Sequence, residues 1–203
     1  MESEKIRVIK EWLGTGSINF FGPPFAGKDS QARLFAELLD GVVIGGGDIL
    51  RSVAPESVKS LINEGKLAPT DEYIRIVLPY LSREEFSEMP LLLSSVGRWK
   101  GEEQAVVPAL KQASHPLKAV VYLSLDTETI RQRLLSDNDD NRGVRDDDYA
   151  HKLEHRINEF EEKTLPVIDY YRTTGALIEI DGAMPKDNVT ESIIDELYTR
   201  ATA

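Results

Sequence analysis

Four residues separate Gly22 from the pair Gly27-Lys28 in the stretch Asn19-Phe20-Phe21-Gly22-Pro23-Pro24-Phe25-Ala26-Gly27-Lys28-Asp29-Ser30-Gln31. Glycines at that separation, followed by lysine, let a loop wrap its main-chain N–H groups around phosphate oxygens and add a positive charge. The chemistry indicated is the binding of phosphoryl groups. The general motif continues with Ser or Thr, whereas this chain has Asp29, a negative charge beside an anion site. The main-chain N–H at position 29 can still donate whatever the side chain is. A carboxylate in a first helical turn also suits the helix dipole, so the side chain can turn away from the phosphates. Ser30, one residue on, can supply a hydroxyl.

Such a loop must follow a buried strand and open a helix. Ile18 to Phe21 is apolar and β-prone, and residues 30–39 carry a helical stripe of Leu34, Phe35, Leu38 and Leu39. Further apolar runs at 42–44, 91–93, 119–123 and 176–180 alternate with helical patterns near 56–64, 71–82, 102–114, 127–136, 147–173 and 186–200. Near-continuous apolar strands separated by helices indicate a parallel sheet covered on both faces. Upstream, Ile6, Val8, Ile9, Trp12 and Leu13 are spaced as an amphipathic helix that ends at Gly14, an extra element on the domain edge. Residues 136–148 are polar and lack apolar periodicity. A solvated loop and a cover that closes over a site both fit that composition.

The 203 residues, 41% hydrophobic and 29% charged, suit one α/β domain. The net charge of -11 argues against nonspecific nucleic-acid binding. No cysteine is present, and the three histidines His115, His151 and His155 offer no metal-binding set. His115, before Pro116, reads as a turn residue, and Trp99, Tyr170 and Tyr171 read as packing residues. No run suits a secretion signal or approaches the ~20 apolar residues of a membrane span, so a cytoplasmic location is expected.

Taken together, these residues resemble the adenylate kinase family of nucleoside monophosphate kinases. The family's loop, Gly-x-Pro-Gly-x-Gly-Lys-Gly-Thr-Gln, is matched by Gly22 to Gln31, with Phe25 and Asp29 in place of two glycines. Phe25 is expected to crowd a place where backbone approaches the phosphates. Gly46-Gly47-Asp48-Ile49-Leu50-Arg51 is similar to Thr-Gly-Asp-Met-Leu-Arg, and residues 65–72 to Gly-x-Leu-Val-Pro-Asp-Glu with one residue added. Leu91 to Arg98 stands in the place of Leu-Leu-Asp-Gly-Phe-Pro-Arg, with Ser94 where the family has an aspartate that helps order water around magnesium. Arg145-Asp146-Asp147 and, eleven residues after Arg145, Arg156 match a later arginine pair, while Asp137 replaces another family arginine.

The resemblance implies a P-loop NTPase-type α/β fold, a five-stranded parallel sheet flanked by helices. It implies a helical extension at 1–16 and a kinase domain at 17–203, with a monophosphate-binding flap near 47–81 and a short lid near 137–146. It implies transfer of the γ-phosphoryl group of ATP, as its Mg2+ complex, to a nucleoside monophosphate, with no nucleic-acid or membrane partner and a monomeric state. Lys28, Arg98, Arg145 and Arg156 would be catalytic. Gly22, Pro24, Ala26, Gly27, Lys28, Asp29 and Ser30 would hold ATP, with Arg133 stacked on its adenine. Gly46, Asp48, Arg51, Lys66, Leu67, Ala68, Arg98, Glu102 and Gln104 would hold the monophosphate, and Asp48 would reach the metal through water. AMP leads as acceptor, but Glu102 stands where adenine-specific members place a base-reading glutamine, and guanine offers a carboxylate two adjacent donors. A relative that binds nucleotides with little or no catalysis, and a kinase for GMP or another monophosphate, are the alternatives. Each arginine taken singly also reads as a surface ion pair.

Overall fold

The computed structural model describes residues 3–64, 66, 68–137 and 150–203. The lid expected near 137–146 lies, beyond Asp137, outside them, as do Leu67, Arg145, Asp146 and Asp147. Five strands form one parallel sheet: β1 (Ser17–Phe21), β2 (Val42–Gly45), β3 (Leu91–Ser94), β4 (Leu117–Ser124) and β5 (Leu177–Asp181). Their spatial order is β2-β3-β1-β4-β5. The chain leaves β1 to one side for β2 and β3 and to the other for β4 and β5. This makes the carboxyl end of β1 the topological switch point, where open α/β sheets bind ligands.

Helices α1 (Glu4–Leu13), α2 (Lys28–Leu38), α3 (Gly46–Val53), α4 (Glu56–Asn63), α5 (Thr70–Leu81), α6 (Glu103–Gln112), α7 (Thr127–Asp137), α8 (Ala150–Glu159), α9 (Leu165–Thr173) and α10 (Lys186–Thr202) surround the sheet. Strand alternation divides the core. Ile18 and Phe20 of β1, with Ala119, Val121 and Leu123 of β4, meet α1, α2 and α10 on one face. On the other face Leu91 and Leu93 meet α3 to α6, and Phe21, Val120 and Tyr122 meet Phe160, Val167, Ile168 and Tyr171. Helix α1 starts at Ser3, whose hydroxyl accepts the Ile6 N–H, and buries Ile6, Ile9 and Leu13 in the same cluster as β1 and α10. Burying a side chain of that size contributes about 1.5–3 kcal/mol, so α1 is part of the core.

Two elements differ from expectation. Helix α3 was not expected, because Gly46 and Gly47 in its first turn are poor helix formers. The long helix expected over 147–173 is α8 and α9 joined by a π-helical segment, Phe160–Thr164. The Leu165 N–H reaches back five residues to the Phe160 carbonyl, just before Pro166, which has no N–H to donate.

Candidate active site

The turn from β1 into α2 is held by two glycines. A Cβ at Gly22 would lie 2.9 Å from Ala26 Cβ and 3.0 Å from the Leu123 carbonyl, so only glycine fits. Gly27 adopts φ +88 as it caps α2, a conformation that costs glycine little. Pro24 and Ala26 are buried in the loop. Behind it, Gln31 ties α2 to α10 by accepting the Thr190 hydroxyl at 3.1 Å.

Lys28 and Asp29 open onto a cleft lined by groups from several segments of the chain. The loop and the end of β3 supply Lys28, Asp29, Ser94, Ser95 and Arg98. The α3 region supplies Gly45, Gly47, Asp48 and Arg51, and the segment before α5 supplies Lys66 and Ala68. Tyr73, Glu102 and Arg156 complete the polar wall. Among the described residues, five cations and three carboxylates thus face one hollow in a chain of net charge -11. Arg98 is pulled below its ordinary value, first by burial and next by the nearby charge of Arg156. Guanidinium groups held close enough to repel are stabilised by an anion between them, and their planar forks suit phosphate.

The loop carrying Arg98 is held by two groups that sequence reasoning missed. Asn19, buried in β1, donates from Nδ2 to the Val96 carbonyl at 2.7 Å and accepts the Val96 N–H at 3.2 Å. Buried Tyr73 accepts the Gly97 N–H on its Oη at 2.8 Å. The signal for Asn19 was a lone amide in an otherwise apolar strand; Tyr73 gave none. Trp99, next to Arg98, lies under the Lys163 ammonium at 4.3 Å, and Lys163 pairs with Glu159 at 2.7 Å.

Several expected residues sit differently from expectation. Phe25 has φ +62, which explains why a glycine suits that position, yet its ring does not crowd the phosphate hollow. It packs partly buried against Ile130, Leu153 and Ile157 of α7 and α8. Asp29 does not turn out of the cleft: its Oδ1 accepts the Ser94 hydroxyl and its Oδ2 lies 3.6 Å from Lys28 Nζ. Ser30 is exposed and is not among the cleft residues. Gly46 is buried beneath Tyr73, whose Oη would stand 2.8 Å from a Cβ there, while its neighbours face the cleft. Arg51 donates to Asp48 at 2.7 Å.

Glu102 lines the cleft, but its carboxylate accepts the Trp99 N–H at 3.0 Å and is also hydrogen-bonded by Thr70 and the Arg98 main chain. Burial raises its pKa above the ordinary value. A carboxylate engaged in this way shapes the loop and has little capacity left to read a base. Gln104, two residues on, is exposed and outside the cleft. Arg133 is also outside it, donating to the Phe25 carbonyl at 3.0 Å and the Gly182 carbonyl at 2.7 Å. Those bonds use its edges and tie the phosphate loop to the turn after β5. Buried His115 occupies the turn before β4, its Nδ1 donating to the Thr15 carbonyl at 2.7 Å. Tyr171 packs on Phe21, as expected.

A sequence model described as adenylate kinase matches residues 20–176. An adenylate kinase from Chloroherpeton thalassium is 30% identical over 216 aligned positions, covering 91% of this chain and 99% of that protein. One from Prochlorococcus marinus is 34% identical, covering 80% and 87% respectively. One from Micrococcus luteus is 33% identical over 90% of both chains.

Proposed function

The chain belongs to the adenylate kinase family, and from that premise we propose that it transfers the γ-phosphoryl group of ATP to AMP, forming two ADP. The single observation that carries this reading is the convergence of Lys28, Arg51, Lys66, Arg98 and Arg156 on one cleft at the end of β1. Phosphoryl transfer asks little covalent chemistry of a protein; it needs donor and acceptor aligned, water excluded and the developing charge compensated. In this assignment Lys28 and the N–H groups at the start of α2 hold the donor's phosphates. Arg51 holds the phosphate of AMP. Arg98 and Arg156 stand on the group in transit, and Arg145, outside the described residues, is assigned to the same task. Arg133 offers a guanidinium face to the adenine while its edges stay on the two carbonyls.

The oxygen donors of the cleft fit a magnesium ion that arrives on the nucleotide. Among the described residues no group of three or more His, Asp or Glu could hold a metal. Mg2+ bound through substrate phosphates needs only one or two carboxylates, commonly through water, and Asp29 and Asp48 face the same hollow as Lys28. When bound, the ion neutralises charge on the β- and γ-phosphate oxygens.

AMP is favoured over GMP because the Glu102 carboxylate is already engaged by Trp99 and Thr70. Residues about 47–81 act as the acceptor flap in this reading, residues about 137–146 as the lid, and residues 1–16 as an addition to a core of 17–203. We place the protein in the cytoplasm as a monomer; among the described residues no helix is long and apolar enough to cross a membrane. ADP formation from ATP with AMP, GMP, CMP or UMP, followed by 31P NMR, is the test. AMP should be the best acceptor, and no turnover above background on any of the four would refute the proposal.

A further inference from the structure

Asp29 and Ser94 are 65 residues apart in sequence and form one hydrogen-bonded pair in the wall of the cleft. The Ser94 hydroxyl fixes one oxygen of the carboxylate. The other lies 3.6 Å from Lys28 Nζ, and the Asp29 charge also acts on Arg98. The Asp29 side chain is 40% exposed against 13% for Lys28, so the carboxylate rather than the ammonium presents itself to whatever enters. A negative group thus stands between two cations at the place where a polyphosphate must bind. Phosphate oxygens beside that carboxylate meet a close-range repulsion that Lys28 and Arg98 offset only in part, and a cation carried with them removes the remainder.

We propose that the Asp29 carboxylate, oriented by Ser94, makes this phosphate loop selective for the metal-chelated triphosphate over the free one. The inference rests on the phosphoryl-transfer reading and assigns to one residue the discrimination between two forms of the donor. Asp29 accepts hydrogen bonds from water on the metal ion and thereby turns a local repulsion into an attraction. It draws Lys28 toward the donor's phosphates through the same carboxylate. The rest of the loop, made of N–H donors and Lys28, would bind phosphate with or without a metal and so supplies affinity without this discrimination.

Calorimetric titration of the full chain with ATP, once in excess Mg2+ and once in EDTA, gives a ratio of two Kd values. The unmodified chain should bind ATP about tenfold or more tightly with the metal, a coupling of ordinary size between two ligands. Asp29→Asn should bring the ratio to within about threefold of one, chiefly by tightening the metal-free complex. A general loss of loop geometry would weaken both titrations together and leave the ratio unchanged. Ser94→Ala keeps the carboxylate but releases it and should give an intermediate ratio. The electron paramagnetic resonance line of Mn2+·ATP on the protein should change with Asp29→Asn, since it reports the ion's surroundings independently of turnover. A ratio near one in the unmodified chain, or the same ratio in Asp29→Asn, overturns the proposal. Failure to bind ATP under both conditions would instead refute the kinase reading; equal binding with AMP phosphorylation intact refutes only the role of Asp29.

Discussion

Replacing Phe25 by glycine separates two opposed effects whose balance the structure sets. Phe25 holds φ +62, where a residue with a Cβ pays about 1–2 kcal/mol that glycine does not. Its ring is only partly buried, against Ile130, Leu153 and Ile157. Roughly half of the 1.5–3 kcal/mol for a fully buried Phe is therefore at stake, about 0.8–1.5 kcal/mol. Glycine also gives the unfolded chain extra freedom, costing about 0.5–1 kcal/mol. The net expectation for Phe25→Gly is a loss near 0.5 kcal/mol. In a chain of this size that lowers Tm by about 1–2 °C. Phe25→Ala loses the ring without relieving the backbone and should lose about 0.8–1.5 kcal/mol, more than glycine does. Because the ring points away from the phosphates, kcat with ATP and AMP should stay within about threefold for Phe25→Gly, as expected of a residue outside the reacting geometry. Urea unfolding and a coupled ADP assay on the two variants suffice. A rate gain of about tenfold or more for Phe25→Gly would mean that the ring obstructs the site. Greater damage from glycine than from alanine would mean that the strain is not there.

Asn19→Ala leaves the buried N–H and carbonyl of Val96 without partners, at about 1–3 kcal/mol each, and loosens the loop that aims Arg98. A loss of about 2–4 kcal/mol in urea unfolding and a fall in kcat of roughly ten- to a hundredfold are expected; near-native values for both would refute the tether. Ile9→Ala should cost about 2–4 kcal/mol, because Ile9 is 0% exposed in the main core cluster. If α1 were a dispensable appendage, Tm would hardly move. Glu102 has a raised pKa, so the folded chain keeps its proton to higher pH than the unfolded chain does. The stability this gives is full below the ordinary value of 4.5 and is lost as pH rises through the folded value. Measured against Glu102→Gln, which cannot titrate, the wild-type chain should lose relative stability over the interval that begins near pH 4.5 and runs up through the folded value. A relative gain over that interval would contradict the assigned direction.

The strands were legible because a parallel sheet covered on both faces asks for unbroken apolar runs, and Leu91-Leu92-Leu93 and Ala119 to Leu123 supply them. The phosphate loop was legible because steric demand leaves only glycine at Gly22. Helix α3 escaped notice for a related reason. The close approach of Tyr73 Oη to Gly46 requires a glycine, and that glycine lowers the local helix signal while packing restores the helix. Side-chain direction was the least legible property. Phe25, Asp29, Ser94 and Glu102 were each read from a position in a motif, which gives a residue's place along the chain and not its partner. Phe25 found α7 and α8, and Glu102 found the turn it caps. Asp29 and Ser94 read separately as one unwanted charge and one missing ligand. Across 65 residues they prove to be donor and acceptor of one hydrogen bond, so that a carboxylate is present in the cleft after all, carried by α2. What a phosphate site needs is a charge at a point in space, and two segments meeting there can exchange which of them carries it.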